Sequence, residues 1–293
     1  MAAQLVGVIL ALSSALVYGS ADFFGGLATR RQHPYAVLVL TSLIGTACMV
    51  ILAFLFGEHI PSPKGIFWGG VAGISGLFGL VLLYYGLAKG NTAVVSPISG
   101  VVAACLPVLY SAFLYSLPSP IQIAGFILAV PGIVLVTQIK SPKQSALPNL
   151  RHLWLRARES LVDAGIGSLA GLFFGVFFIC LSQLKEGSVF GPLAFAKLSS
   201  CLVGLVLALL TRVKLTNWQN NLAIIPAGLF DPIANALYLL ATRYTRLDVA
   251  VVLTSLYPAG TVFLSFIYLK EPITGLQWIG VAFCLLSIML ITS

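Results

Sequence analysis

The stretch Leu5-Val-Gly-Val-Ile-Leu-Ala-Leu-Ser-Ser-Ala-Leu-Val-Tyr-Gly-Ser-Ala-Asp-Phe-Phe-Gly-Gly-Leu-Ala-Thr-Arg-Arg31 carries one charge, Asp22, before the arginine pair that closes it. About 20 mostly apolar residues suffice for a helix to cross the hydrocarbon of a bilayer. A carboxylate inside such a helix costs about 2.5–3.5 kcal/mol on insertion scales, so an intramembrane acid is a functional candidate by default. Ser14, Tyr18, Asp22, Gly25 or Gly26, and Thr29 recur at steps of 3 and 4 and form one stripe; the other faces are Leu, Val, Ile and Phe. The stripe is expected to face the inside of a helix bundle. Asp22 precedes Arg30 by eight residues, about 12 Å along a helix axis, which places it in the outer third of the membrane. Two roles stay open for it, a working carboxylate or a hydrogen-bond acceptor for a neighbouring helix.

Composition extends this reading to the whole chain. Of 293 residues, 59% are hydrophobic and 8% charged, against about 25% charged in soluble domains. A soluble core cannot hide so much apolar surface, so the chain reads as an all-α integral membrane protein. The net charge of +8 does not make a nucleic-acid binder, because the Lys and Arg residues sit in short gaps between apolar runs rather than on one dense face. The five cysteines lie singly inside apolar runs with no C-x-x-C spacing, which argues against a disulfide framework or a zinc site. The first segment lacks a basic leader and a cleavage site and is read as retained.

Charge-poor runs divide the chain into ten spans, about 5–28, 34–56, 65–88, 92–115, 120–139, 163–184, 191–211, 221–242, 247–269 and 274–292. A shift of 155 residues lays the third to fifth spans on the eighth to tenth. Gly73 then meets Gly228, Gln122-Ile-Ala-Gly125 meets Gln277-Trp-Ile-Gly280, and Thr137 meets Thr292. Residues 1–139 and 163–293 are thus expected to be two five-helix repeats joined by a basic connection, 140–162. The part from Leu150 to Val162 reads equally as a surface amphipathic helix or a solvated loop. Five spans are an odd number, so the second repeat must enter the membrane inverted, an arrangement common among secondary transporters. Eleven Lys and Arg residues lie in the connections after odd-numbered spans and four on the other side, which by the positive-inside rule puts both termini outside.

Tyr85-Gly-Leu-Ala-Lys-Gly-Asn-Thr-Ala-Val-Val-Ser-Pro97 resembles the signature joining the third and fourth helices of EamA-type carriers of the drug/metabolite transporter superfamily. Tyr238-Leu-Leu-Ala-Thr-Arg-Tyr, Ser255-Leu-Tyr-Pro258, Leu269-Lys-Glu-Pro272 and Gln277-Trp-Ile-Gly280 are its counterparts in the second half. The resemblance covers nearly the whole chain. It implies ten helices, two inverted repeats, a central cavity and cytoplasmic termini, so orientation stays open between it and the charge count. The first half departs from the pattern at Ser116, where the second half has Glu271.

Asp231 is the leading candidate for the working carboxylate. It shares a face with Gly228, Asn235, Tyr238 and Thr242, and Pro226 and Pro232 bracket it. Proline removes a backbone donor, so an interrupted helix is expected there, as transporters often use around their sites. Lys197 has three readings: a buried partner for Asp231 or Asp22, a seat for an anionic group of the substrate, or a side chain snorkelling to the interface. Tyr18, Asn235, Tyr238 and Tyr257 are expected to shape the cavity. Pro97, Pro107 and Pro258 are kinks or hinges, and Gly167, Gly171 and Gly175 form a ladder for close helix packing. No catalytic or metal motif is present: the histidines lie in connections, and there is no P-loop, H-E-x-x-H or Mg²⁺-holding aspartate pair. The chain therefore reads as a secondary active transporter of a small metabolite or drug-like solute, with no cofactor. A carboxylate can serve it as proton carrier. Its partners would be the solute and the bilayer, as monomer or homodimer, in the plasma membrane of a prokaryote. The rival readings are a membrane-embedded enzyme or lipid-modifying protein, a passive channel, and a structural subunit. They lack, respectively, a catalytic cluster, a continuous polar lining and a reason for the internal repeat.

Overall fold

A computed structural model describes residues 2–89, 92–114, 117–136, 150–184, 187–213, 221–269 and 274–292. The basic residues Lys140 and Lys143 and the Ser116–Glu271 departure lie outside the described residues. The elements are α1 (Ala2–Thr29), α2 (Pro34–Leu55), α3 (Pro63–Lys89), α4 (Thr92–Leu114), α5 (Pro120–Val136), α6 (Leu150–Ser182), α7 (Phe190–Leu210), α8 (Ile224–Tyr244), α9 (Leu247–Thr254), α10 (Tyr257–Leu269) and α11 (Gly275–Thr292). No strand occurs among the described residues. In hydrocarbon every backbone group must be satisfied within its own segment, and an apolar chain meets that demand as helix. Pro34, Pro63 and Pro120 each stand first in their helix, where a missing N–H costs nothing.

Among the described residues, six helices are long and apolar enough to cross a membrane: Ala3–Thr29, Pro34–Leu55, Pro63–Gly86, Leu161–Ser182, Phe190–Leu210 and Ile224–Tyr244. Shorter apolar helices follow at Ile98–Leu114, Pro120–Leu135 and Leu247–Thr261. Phe54, Phe113, Leu202, Val206 and Met289 are exposed on the outer faces, a surface suited to lipid. The chain is an integral membrane protein.

Two expectations are corrected. α8 runs without a break through Pro232. Proline there deprives the Gly228 carbonyl of its helical donor, but the ring is accommodated by Gly45 of α2, where a Cβ would already lie 3.3 Å from Pro232 Cγ. The interruption falls instead at Ser255–Leu256, between α9 and α10, just before Pro258. The residues from Leu150 are helical and continuous with α6 to Ser182, neither a separate surface helix nor a loop.

Packing partners repeat between the halves. α1 packs on α8, α9 and α10, and α6 packs on α3 and α4; α2 meets α7 and α8, and α7 meets α2 and α3; α5 pairs with α11. Exchanging α1–α5 for α6–α11 returns each of these pairings. The 155-residue register also reproduces individual bonds. α2 closes with Phe56 N–H on Leu52 O, Gly57 N–H on Phe54 O and Glu58 N–H on Ala53 O. α7 closes with Thr211 on Leu207, Arg212 on Leu209 and Val213 on Ala208. Gly57 and its counterpart Arg212 both take left-handed backbones, φ 63° and 54°, the usual helix stop. Glycine is the ordinary choice there, and Arg212 adopts it at a cost of about 1–2 kcal/mol.

The glycine ladder of α6 lies on α4: a Cβ at Gly167 would come 2.8 Å from Val95 O, and one at Gly171 2.6 Å from Ser99 O. Small residues let these backbones touch.

Candidate functional site

A cavity of about 940 Å³, its open mouth included, lies where the two halves meet. Three charged side chains line it: Asp22 of α1, Lys197 of α7 and Asp231 of α8. Small and hydroxylated residues stand with them, Thr41 and Ser42 of α2, Ala196 and Ser200 of α7. One wall is apolar and aromatic, made by Leu77, Leu80 and Tyr84 of α3 with Phe174, Phe177 and Phe178 of α6. Tyr18 and Tyr257 complete it.

Lys197 is held inward by helix geometry. Gly73 of α3 lets α7 approach until a Cβ at that position would fall on the Ala196 carbonyl. Ser200, nearly one turn on from Lys197, donates to Gly73 O at 2.6 Å. The Lys197 stem passes Gly45, where a Cβ would stand 3.3 Å from its Cγ. The ammonium forms an ion pair with Asp231. Lys197 is buried, which removes the snorkelling reading. A buried pair repays its desolvation only with good geometry, and removing one member leaves an uncompensated charge.

Asp22 also lines the cavity but has neither hydrogen bond nor ion pair among the described residues. The stripe that carries it faces the bundle. Ser14 donates to Ala234 O at 2.8 Å, Tyr18 donates to Asn235 Oδ1, and Gly25 leaves room for the Tyr84 hydroxyl, which a Cβ would displace.

Asn235 and Tyr238 do not line the cavity. Asn235 holds Tyr18 from behind. Tyr238 is fully buried; its hydroxyl donates to Phe178 O at 3.2 Å and its ring lies 4.7 Å from that of Phe178. Both therefore orient residues of the wall. The Tyr257 hydroxyl lies near Gly100 of α4, 3.8 Å from where a Cβ would stand there.

The sequence reading missed Tyr84 and the phenylalanines of α6. Leu77, Leu80 and Tyr84 do follow helical steps of 3 and 4, but such a stripe looks the same whether it faces lipid, core or cavity. It also missed two side chains that tie the halves together at opposite ends of α2. Beyond the C-terminus of α2, Glu58 accepts the N–H groups of Val189 at 2.6 Å, Phe190 at 2.9 Å and Gly191 at 2.8 Å. By the N-terminus of α2, buried Asn221 donates to Ala28 O at 2.9 Å. A second, open cavity beside Glu58 is lined by His59, Lys64, Tyr110 and Gln183.

Comparison with known proteins agrees with this architecture. The family model described as EamA-like transporter family matches residues 5–138 and again 164–293. An uncharacterised protein of Methanocaldococcus jannaschii is 28% identical over 131 residues, a match that covers 44% of this chain and 95% of that protein. A solved crystal structure superposes with a TM-score of 0.76 at 18% identity, over 99% of this chain and 96% of that one, which is a likeness of fold.

Proposed function

Because the chain belongs to the EamA-like transporter family, we propose that it is a secondary active transporter moving a small metabolite or drug-like solute by alternating access. The observation that carries the reading is the cavity: charged, lined with aromatics, and built from α1–α4 on one side and α6–α8 with α10 on the other. Ten spans in two inverted five-helix repeats belong to this reading. The exchange symmetry of the packing and the matched helix ends of α2 and α7 support it. Each half spans an odd number of times, so the halves oppose one another, and rocking one against the other exposes the cavity to either side in turn. Glu58 and Asn221 tie the halves at the two ends, and one tie must yield while the other holds.

With no nucleotide-binding motif in the sequence, uphill transport draws on an ion gradient. In this reading Asp231 accepts a proton when Lys197 is drawn away, with Asp22 as the second carboxylate. Tyr18 and Tyr257 shape the cavity, and Asn235 and Tyr238 hold its wall. The proposed setting is the plasma membrane of a prokaryote, as monomer or homodimer.

The test compares wild type with Asp231→Asn at matched membrane levels, reading solutes inside and outside cells by untargeted mass spectrometry. A solute redistributed by wild type and not by the variant is the expected result. Equal redistribution by both removes Asp231 from the cycle, and redistribution by neither refutes the carrier reading.

A further inference from the structure

We propose that the cavity selects a monovalent organic cation with an apolar, aromatic body, its nitrogen seated on Asp22. For its transport consequence this inference rests on the carrier reading above; for binding it does not.

The lining holds two carboxylates and one ammonium, one carboxylate more than the ammonium pairs. The ammonium is committed to Asp231. Asp22 is left with no partner among the described residues, in a space walled largely by carbon. An ionised carboxylate withdrawn from water is stable only when paired or hydrogen-bonded. A cation entering the cavity supplies the missing partner and leaves the Lys197–Asp231 pair intact. An anion must instead break that pair to reach Lys197, and then lies beside an unpaired Asp22. A neutral solute leaves Asp22 as it was.

The surroundings of Asp22 suit a cation attached to a hydrophobic body. Tyr18 stands one turn before it on α1, and the Tyr84 hydroxyl reaches Gly25, one turn after it. Aromatic faces attract cations through their quadrupole, more strongly when water is excluded. Leu77, Leu80, Phe174 and Phe177 supply apolar surface for the rest of the molecule. A fully hydrated inorganic ion makes no use of that wall.

The full chain in nanodiscs of neutral lipid is titrated calorimetrically with phenethylammonium, benzyltrimethylammonium and tetraphenylphosphonium. Neutral 2-phenylethanol and anionic 3-phenylpropionate are titrated in parallel. At least one cation is expected to bind tenfold or more tightly than 2-phenylethanol, a gap of about 1.4 kcal/mol. In Asp22→Asn that ratio falls to about one, and in Asp22→Glu it is retained, as charge selection by this group requires. If Asp22→Asn fails to fold, the wild-type charge series together with Asp22→Glu decides. Binding of the neutral or anionic compound as tightly as any cation overturns the proposal. So does absence of cation binding, or a cation preference that survives in Asp22→Asn. Counterflow in proteoliposomes separates the two readings. A cation that binds but does not move keeps the Asp22 site and refutes the carrier. Movement of a neutral or anionic solute without cation preference keeps the carrier and refutes the Asp22 site.

Discussion

Replacing Glu58 should unlock the N-terminus of α7 and leave the rest of that helix in place. A helix start has four N–H groups without an internal partner. Here they belong to Val189, Phe190, Gly191 and residue 192, which is proline and has none. Val189, at the cap position, offers no side-chain acceptor. Glu58, 131 residues upstream of Val189, takes all three N–H groups at 2.6–2.9 Å. Gly57 makes this possible: its left-handed turn ends α2 and delivers the carboxylate. Loss of a capping side chain costs about 0.5–2 kcal/mol, and loss of a negative charge at the positive end of the helix dipole about 0.3–1 kcal/mol more. Glu58→Ala is therefore expected to cost about 1–3 kcal/mol, and Glu58→Gln, which keeps one acceptor oxygen, about half as much. Hydrogen exchange on the reconstituted protein reads this directly, because amide protection follows the free energy of local opening. Protection at residues 189–191 should fall roughly 5- to 150-fold in Glu58→Ala, with the middle of α7 unchanged. Unchanged protection at 189–191, or equal loss along all of α7, refutes the reasoning.

Two glycines of α3 should respond to alanine with opposite signs. Gly73→Ala drives a methyl into the Ala196 carbonyl and should lower stability by about 1–3 kcal/mol. Gly70→Ala meets nothing within 4 Å and should raise it by about 0.5–1 kcal/mol; thermal midpoints in detergent compare them. Lys197→Met alone strands Asp231 and should destabilise by about 3–5 kcal/mol, whereas Lys197→Met with Asp231→Leu should recover most of that loss, which the same melts decide. Asp248, fully buried at the start of α9, accepts from Arg246 at 3.1 and 2.8 Å and from Val249 N–H at 2.9 Å. Asp248→Ala should cost about 1–3 kcal/mol, since the half-exposed Arg246 can turn to water. Stability within 0.5 kcal/mol of wild type, about the scatter of ordinary surface changes, would contradict that role.

The helices, their approximate limits and the internal repeat were legible in the sequence because they depend on local properties. Apolar runs must become helix in hydrocarbon, and a 155-residue register can be read by matching Gly, Gln and Thr. The stripe of Ser14, Tyr18 and Asp22 could likewise be drawn from helical spacing alone. Tertiary structure decided what those faces meet. Periodicity says that Lys197 shares a side with Ser200 and Gly204, but the close approach allowed by Gly73 and Gly45 turns it onto Asp231. Proline at 232 signals a lost donor, but α8 runs on through it with the ring beside Gly45, while the interruption falls at Ser255–Leu256. Glu58 looks like an ordinary loop acid, because its partners are backbone amides of the other half, and backbone groups leave no signal in sequence. Asn235 and Tyr238 share the Asp231 face by spacing, but neighbouring aromatics from α1 and α6 cover them and make them supports of the wall. Spacing along one helix specifies direction around its axis; what fills that direction depends on groups 34 to 217 residues away in the chain.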